Sequence, residues 1–206
     1  MTPYPLGRNV LHDPRSLAYP FTATTAPVSV RHRREIPVLD QGQLGSCTGQ
    51  AAVGALGTDP YYATVPASRT LDEAFAIKVY SAATTLDNVP GSYPPDDTGS
   101  NGLSVAKALK NLGLISGYTH ALSFDAAIGA LSQRPVIIGV SWYNGFFTPA
   151  ADGTISIAAG DTVAGGHEFV LDELDVAGQR VGATNSWGTG WGVRGRFYIG
   201  FDLLRR

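Results

Sequence analysis

The chain contains a single cysteine, Cys47, in a position where its thiol could act as a nucleophile. The segment that starts at Cys47 and ends near Leu56 is rich in alanine and predicts a helix, and Gly45 permits a sharp turn into it. At a helix N-terminus and beside an imidazolium, the thiol pKa falls below its usual value of about 8.5, which favours the reactive thiolate. Cys47 is therefore a candidate nucleophile; the alternative is a buried cysteine that packs as a small hydrophobic side chain.

A nucleophilic thiol needs a base, and the chain offers four histidines: His12, His32, His120 and His167. His167 follows two glycines and is expected to open a strand that faces a cleft, whereas the other three are placed in an N-terminal arm or a loop. The alternative for His167 is a strand-end histidine that is hydrogen-bonded to a carbonyl. The dipeptide His167-Glu168 does not begin a zinc-binding His-Glu-x-x-His motif, because the fifth position is Leu171.

Two amide side chains complete the candidate chemistry. The Asn185 amide oxygen could hold His167 in one tautomer, and the indole of Trp187 could keep water away from that hydrogen bond. The Gln41 amide lies six residues before Cys47 and could join the Cys47 backbone N–H in stabilising an oxyanion. The alternatives are a hairpin loop held by core tryptophans around Asn185 and a solvated side chain for Gln41.

Helical patterns occupy the first half of the chain. Besides the helix at Cys47, a capping-box pattern at residues 70–73 predicts a second helix that runs to about Thr84. A third is predicted from Leu103 to about Leu112, with Gly113 as its stop, and a short fourth begins at Ser123.

Strand patterns fill the second half. After Pro135, strands are predicted at residues 136–140, 154–157, 167–176, 180–184 and 196–201. Helices followed by strands indicate an α+β protein, with helices on one side of an antiparallel sheet or barrel and a cleft between the halves. Residues 1–35 have no clear period and are expected to form an arm laid over the domain.

The composition limits the class of protein. The 206 residues are 44% hydrophobic, enough for one folded unit, and the formal charge of −2 provides no field for binding nucleic acid or an anionic membrane. One cysteine excludes an internal disulfide and the usual zinc sites. The chain has no secretory signal pattern and no apolar run near the roughly 18 residues that span a bilayer. We expect a soluble protein that is cytoplasmic, or associated with a virion if the gene is viral.

Taken together, these motifs resemble those of the papain-like cysteine peptidases over nearly the whole chain. The run Asn-Ser-Trp-Gly-Thr-Gly-Trp-Gly at residues 185–192 is highly specific to that family. Gln41-Gly42, Gly45-Ser46-Cys47 and Gly166-His167 match its oxyanion, nucleophile and histidine segments. Residues 99–102 resemble its substrate-binding glycine loop, and residues 134–136 resemble the strand that enters its β lobe.

The resemblance implies a two-lobed α+β fold in one domain. A helical lobe at about residues 45–130 packs against an antiparallel β-barrel-like lobe at about residues 131–206, with the active site in the cleft between them. It implies Cys47 as nucleophile, His167 as general acid and base, Asn185 as its orienting group, Gln41 as oxyanion donor and Trp187 as shield. The implied substrate-binding residues are Gly102, Leu103, Gly139, Gly166 and Glu168. The substrate is a protein or peptide, and no metal or organic cofactor is required.

The sequence departs from the family at four positions. Thr48 stands where most members have Trp or Tyr. Leu44 and Ser100 stand where many members pair two cysteines, which fits a reducing compartment and a bacterial, archaeal or phage origin. Glu168 stands where members usually have a small apolar residue, and we hypothesise that its carboxylate favours a basic side chain two residues before the scissile bond.

Only 46 residues precede Cys47, too few for the long helical inhibitory propeptide of secreted eukaryotic members. Residues 1–30 are expected to lie in or beside the cleft.

The leading hypothesis is an active thiol endopeptidase, and two alternatives stay open. One is another thiol acyl-transfer enzyme, such as a cell-wall amidase or a transamidase. The other is a peptidase-like binding or structural module whose site has lapsed. The presence of Cys47, His167, Asn185 and Gln41 together favours an active enzyme. The whole interpretation depends on one expectation: folding brings the Cys47 thiol and the His167 imidazole into proton-sharing contact across a groove.

Overall fold

A computed structural model describes residues 4–10, 13–23 and 26–206, so His12 lies outside the described residues. The helices are α1 (Cys47–Leu56), α2 (Glu73–Thr84), α3 (Gly102–Asn111), α4 (Phe124–Leu131) and α5 (Phe201–Leu204). The strands are β1 (Pro20–Phe21), β2 (Val30–Arg31), β3 (His120–Ala121), β4 (Val136–Tyr143), β5 (Val163–Asp175), β6 (Arg180–Thr184) and β7 (Arg196–Gly200). No helix among these residues is long and apolar enough to cross a bilayer.

Helix α1 lies at the centre of the helical part, and all ten of its residues are buried. Its small side chains explain this position. A Cβ on Gly49 would lie 2.3 Å from the carbonyl oxygen of Ala76, so α2 packs directly against the α1 backbone at that glycine. The other face of α1 packs against β5, where Ala51 and Ala55 contact Val170. The helix that carries the cysteine is thus held between the two halves of the protein.

Helices α2, α3 and α4 begin at side-chain caps. Asn101 caps α3 by accepting the Ser104 N–H, and Ser123 caps α4 by accepting the Ala126 N–H. The predicted capping box at residues 70–73 was wrong in detail. Asp72 is the cap of α2, because its own carboxylate accepts the Phe75 N–H at 2.8 Å.

The sheet is antiparallel and is organised around β5. This strand pairs with β2, β4 and β6, and β6 pairs with β7. The expectation that His167 opens its strand was wrong: β5 begins at Val163, because residues 163–166 already pair with β4. The strand predicted at residues 154–157 was also wrong. That segment pairs with the sheet through a bridge between Thr154 and Tyr198, with the Ile155 N–H donating to the Tyr198 carbonyl.

Two hydrophobic cores support the cleft. One lies under the sheet around Trp142, Phe169 and Phe197, and the other lies among α1, α2 and α3. Helices on one side of an antiparallel sheet confirm the predicted α+β class. The description of residues 1–35 as an arm needs correction, because β2 adds an edge strand to the sheet and β1 pairs in parallel with β3.

Candidate active site

Cys47 and His167 lie on the two elements that meet at the cleft. Cys47 is the first residue of α1 and His167 lies within β5, and neither side chain has any exposed surface. The Nδ1 atom of His167 has no hydrogen-bond partner among the described residues. The thiol and the imidazole are therefore not hydrogen-bonded in this structure, and the proton-sharing contact stays a prediction.

The other nitrogen of His167 is held by Asn185. Nε2 lies 2.7 Å from the Asn185 Oδ1 atom, which also accepts the backbone N–H of Ser186 at 2.8 Å. The Ser186 N–H identifies this atom as the amide oxygen, which has no hydrogen to donate, so the hydrogen of the neutral imidazole resides on Nε2. The lone pair of Nδ1 is then left free to take a proton from another group.

Two tryptophans enclose this hydrogen bond. The Trp187 ring stacks on the His167 ring at a centroid distance of 4.5 Å, as expected for a shielding residue. Trp142 packs its edge against the same imidazole at 4.9 Å. Sequence reasoning missed Trp142, because a tryptophan in a buried strand shows no pattern that distinguishes it from other core residues. Both rings exclude water and fix the imidazole orientation.

Gln41 is anchored beside the start of α1. Its Oε1 atom accepts the Ser186 hydroxyl at 2.7 Å, and its backbone N–H donates to the Ser186 carbonyl at 2.9 Å. Its Nε2 atom donates to the Leu44 carbonyl at 2.9 Å and to the Pro5 carbonyl at 3.3 Å. The amide therefore faces a peptide carbonyl that belongs to the N-terminal segment.

That segment, residues 4–10, is called here the cleft segment because it runs between the two halves of the protein. The Ser100 N–H donates to the Gly7 carbonyl, and the Asn9 N–H donates to the Ser100 carbonyl, both at 2.8 Å. On the other side, the Arg8 N–H donates to the Gly166 carbonyl at 3.1 Å. The backbones of Ser100 and Gly166 therefore hold an extended segment of the chain from both walls of the cleft.

Gly7 is the point where the cleft segment comes closest to the nucleophile. A Cβ on Gly7 would lie 1.6 Å from the carbonyl oxygen of Gly45, so only glycine fits there. The backbone of Gly7 also forms a hydrogen bond to the Cys47 thiol. At the start of the cleft segment, the Tyr4 ring stacks on Trp187 at 4.6 Å. The Cys47 thiol has no exposed surface, and the cleft segment lies against it.

The burial of Cys47 and His167 determines the charge state of the two side chains. Burial, with a smaller effect of the Glu168 carboxylate, raises the pKa of the Cys47 thiol to about 12, although backbone hydrogen bonds from Glu168 and Gly7 oppose the rise. Burial also lowers the pKa of His167 to about 4, against the hydrogen bond to Asn185. Both groups are therefore neutral at pH 7. The expected lowering of the thiol pKa at the helix N-terminus is wrong for this covered state, because desolvation dominates.

The remaining predicted binding residues surround Glu168. Its side chain is 1% exposed, Gly139 pairs with it across β4 and β5, and Gly102 lies beside its carboxylate. Leu103 is buried in the first turn of α3. At the positions where the family pairs cysteines, the Ser100 hydroxyl donates to Asp87, and the Leu44 carbonyl accepts from Gln41. Thr48 is buried in α1, and its hydroxyl has no hydrogen-bond partner within the described ranges.

We predict that Asn185→Ala lowers kcat on peptide substrates about 10²-fold, with a much smaller change in KM. The substitution removes the acceptor at 2.7 Å that orients His167, but leaves the thiol and the cleft walls in place. Steady-state kinetics on a fluorogenic peptide, measured in a chain without residues 1–10 and therefore without the cleft segment, check this prediction. Asn144→Ala is the matched control, since that asparagine caps a surface turn by accepting the Thr162 N–H. Equal losses in both variants would contradict a specific role for Asn185.

Solved structures of cysteine proteases have the same fold. Xylellain, a cysteine protease from Xylella fastidiosa, is 17% identical with a TM-score of 0.69, over 98% of this chain and 92% of that one. Procathepsin L 3 from the larval midgut of Tenebrio molitor is 17% identical with a TM-score of 0.65, over 95% of this chain and 69% of that one. The Carica candamarcensis protease CMS1MS2 in complex with E-64 is 18% identical with a TM-score of 0.53, over 84% of this chain and 89% of that one.

No protein-family model matches the sequence, and no curated protein matches it. The likeness therefore rests on backbone structure, at sequence identities of 17–18%. The α1 helix that carries Cys47, the β5 strand that carries His167 and the cleft between them all belong to the matched region. The chain has the fold of the papain-like cysteine peptidases.

Proposed function

We propose that this protein is a cysteine endopeptidase whose cleft is closed by its own N-terminal segment. One observation carries the proposal: an extended backbone lies across Cys47, with the Pro5 carbonyl on the Gln41 amide and the Arg8 N–H on the Gly166 carbonyl. A groove with this geometry recognises peptide main chain and presents one carbonyl to a hydrogen-bond donor beside a thiol. A substrate peptide would take the place of the cleft segment.

The proposed reaction uses the side chains in the order in which they meet the substrate. Nδ1 of His167 takes the proton of the Cys47 thiol, and the sulfur attacks the carbonyl carbon of the peptide bond. The Gln41 amide and the Cys47 backbone N–H stabilise the oxyanion. His167 then gives its proton to the leaving amine, and an acyl-enzyme remains. A water molecule, deprotonated by the same nitrogen, releases the acid and restores the thiol.

In this proposal, the protein is at rest while the cleft segment lies over Cys47, and this form is called the covered state. With the cleft segment in place, the thiol has a pKa of about 12 and the imidazole a pKa of about 4, so the pair cannot ionise at pH 7. When the segment leaves, water reaches both groups, and the two pKa values move back toward their ordinary range. The thiolate and the imidazolium then stabilise each other. Uncovering the cleft therefore both admits the substrate and activates the nucleophile.

The main-chain contacts favour a peptidase over the amidase alternative. Three hydrogen bonds to the cleft segment use backbone atoms of Ser100 and Gly166, and such a ladder requires an extended peptide. E-64 is bound by the Carica protease of the same fold, so an epoxysuccinyl reagent of that type is a suitable probe for Cys47. If the protein is instead a binding or structural module whose site has lapsed, Cys47 should react with this reagent no faster than free cysteine.

The test uses the full chain carrying Gly7→Ala, which uncovers the cleft, with denatured casein, fluorogenic peptides and purified cell wall as substrates. We expect casein and peptides to be cleaved, and one equivalent of epoxysuccinyl reagent on Cys47 to stop the cleavage. Release of cell-wall fragments without peptide cleavage would establish the amidase instead. Absence of cleavage in a chain whose Cys47 labels faster than in the native chain, but no faster than free cysteine at pH 6, would show a binding module.

A further inference from the structure

We infer that Asp97 is a positioning residue for the Gln41 amide and that it acts through one peptide group in the turn before α1. Asp97 lies in the loop between α2 and α3, and its carboxylate bonds to the peptide group that joins Leu44 to Gly45. The inference rests on the proposed function, in which Gln41 stabilises the oxyanion. It adds a residue on which that hydrogen-bond donor depends.

The peptide group between Leu44 and Gly45 is hydrogen-bonded on both sides. Its carbonyl, which belongs to Leu44, accepts from the Gln41 Nε2 atom at 2.9 Å. Its N–H, which belongs to Gly45, donates to the Asp97 Oδ2 atom at 2.8 Å. The C=O and N–H of a trans peptide share one plane and point in opposite directions. A rotation that turns the N–H away from Asp97 therefore also turns the carbonyl away from Gln41.

The Gln41 amide needs that carbonyl to aim its second hydrogen. One hydrogen of Nε2 bonds to the Leu44 carbonyl, and the other points into the cleft, where the Pro5 carbonyl now lies 3.3 Å from the nitrogen. The amide oxygen is held separately by the Ser186 hydroxyl at 2.7 Å. If the Leu44 carbonyl turned away, the amide could rotate about this remaining contact. An oxyanion donor is effective only when its hydrogen is already aimed at the place where the charge develops.

Tyr80 holds the carboxylate of Asp97 in place. The Tyr80 hydroxyl donates to Asp97 Oδ1 at 2.5 Å and accepts the Gly99 N–H at 3.0 Å, so its single hydrogen is committed to Asp97. Burial and the Asp97 carboxylate raise the pKa of Tyr80, which keeps this hydrogen on the phenol. The Tyr80 side chain is fully buried, and a Cβ on Gly49 would lie 2.8 Å from its Cβ. Asp97 is thus fixed from the interior, although it is itself exposed.

The acceptor oxygen of Asp97 matters more to this role than its negative charge. A carboxylate near a developing oxyanion would repel it, but Asp97 is exposed, so water and salt screen its field. Gln41 requires only an oxygen that holds the Gly45 N–H in one direction. An asparagine at position 97 can supply that oxygen. Positioning therefore predicts that asparagine retains most of the activity and that alanine does not.

The first test measures kcat and KM on a fluorogenic peptide in the full chain carrying Gly7→Ala. A lost oxyanion donor costs about 10²–10³ in kcat, and we expect Asp97→Ala to cost a part of this, about tenfold, with a smaller change in KM. Asp97→Asn should stay within about threefold of the parent chain, because its amide oxygen can accept the Gly45 N–H. A loss in Asp97→Asn as large as that in Asp97→Ala would overturn the inference.

Asp96→Ala is the matched control. It removes the neighbouring carboxylate, which has the same charge but lies against Gly91, where a Cβ would be 3.1 Å from its Oδ2 atom. We expect kcat to stay unchanged in Asp96→Ala. A loss equal to that of Asp97→Ala would show that any carboxylate of this loop has the same effect, and the inference would fail.

A double variant shows whether Asp97 acts through Gln41. In a Gln41→Ala chain the donor is absent, so the further substitution Asp97→Ala should lower kcat by less than about twofold. The same tenfold loss in both backgrounds would mean that Asp97 acts independently of Gln41, which would overturn the inference. Because the two losses are compared within matched chains, a general effect of either substitution on stability does not imitate this result.

The second test needs no peptidase activity and separates this inference from the proposed function. It measures NMR hydrogen-exchange rates of the Gly45 N–H and of the Gln41 side-chain amide in the chain with native Gly7. We expect Asp97→Ala to speed exchange at both sites at least about tenfold, and Asp97→Asn and Asp96→Ala to keep it slow. Faster exchange at Gly45 alone would overturn the inference whether or not the protein cleaves peptides. Coupled exchange in a chain that cleaves no peptide would refute the proposed function and support the link between Asp97 and Gln41.

Discussion

Replacing Cys47 with Ala in the uncovered Gly7→Ala chain is expected to lower kcat/KM on peptides by about 10⁴-fold or more, and His167→Gln should cause a loss of similar size. The proposed reaction requires both groups in every turnover, since the thiol forms the covalent bond and Nδ1 of His167 moves the proton. Residual activity would come only from the oxyanion donors and from substrate binding. Steady-state kinetics on a fluorogenic peptide measure the two losses.

The double variant distinguishes a cooperating pair from two unrelated structural residues. If Cys47 and His167 act as a unit, the second substitution should cause no further loss. The double variant Cys47→Ala/His167→Gln should then keep the same kcat/KM as the less active of the two single variants. His32→Gln is the matched control, because His32 is hydrogen-bonded to the Leu131 carbonyl and is not part of the candidate site. More than a tenth of the activity remaining in His167→Gln would refute its role as the general base. Losses that multiply in the double variant would refute the pairing.

Many of the secondary-structure elements that position the candidate site can be predicted from local sequence. Small residues after Cys47 predict the central helix, and α1 occupies the predicted range. The caps Asn101 and Ser123 lie next to the predicted starts of their helices, because capping depends on a few neighbouring backbone N–H groups. Helices followed by strands predict the α+β class, which the structure confirms. The helix and its caps depend on interactions between neighbouring residues, and the class follows from the order of the elements along the chain.

The features that the sequence did not predict depend on contacts between distant segments. The pairing of residues 163–166 with β4 extends β5 and places His167 inside the strand rather than at its start. The packing of Trp142 against His167 joins residues 25 positions apart and has no local signal. The pKa of Cys47 moves in the opposite direction from the expectation, because the thiol is fully buried in the folded chain. Desolvation is a property of the folded chain, and a motif does not show it.

The close approach of Gly7 to the Gly45 carbonyl oxygen leads to a second prediction, on the reactivity of Cys47. Gly7→Ala should raise the rate of Cys47 labelling by iodoacetamide at pH 7 about 10- to 100-fold. The added methyl group would lie 1.6 Å from the Gly45 carbonyl oxygen, and this oxygen belongs to the backbone that turns into α1. An overlap with fixed backbone costs about 1–3 kcal/mol, which corresponds to this range of rates when the cleft segment must leave before the thiol reacts. Mass spectrometry of the labelled chain gives the rate.

The pH dependence of labelling separates uncovering from a simple gain in flexibility. In the native chain the thiol pKa of about 12 means that labelling should rise steeply only at alkaline pH. In Gly7→Ala the rise should move to lower pH, because solvent reaches the sulfur and the imidazole can become charged. Gly117→Ala, with an open environment on the surface, should change neither the rate nor the pH profile.

Deleting residues 1–10 provides a second route to the uncovered state that does not depend on one methyl group. The deletion removes the Tyr4, Pro5 and Gly7 contacts together, so its labelling rate should equal or exceed that of Gly7→Ala. If both variants label as slowly as the native chain, residues 4–10 do not control access to Cys47, and the resting-state proposal fails. If both label rapidly but retain the alkaline pH profile, the cleft segment blocks access without setting the thiol pKa. Desolvation by the cleft segment would then be excluded as the reason why the covered pair is neutral.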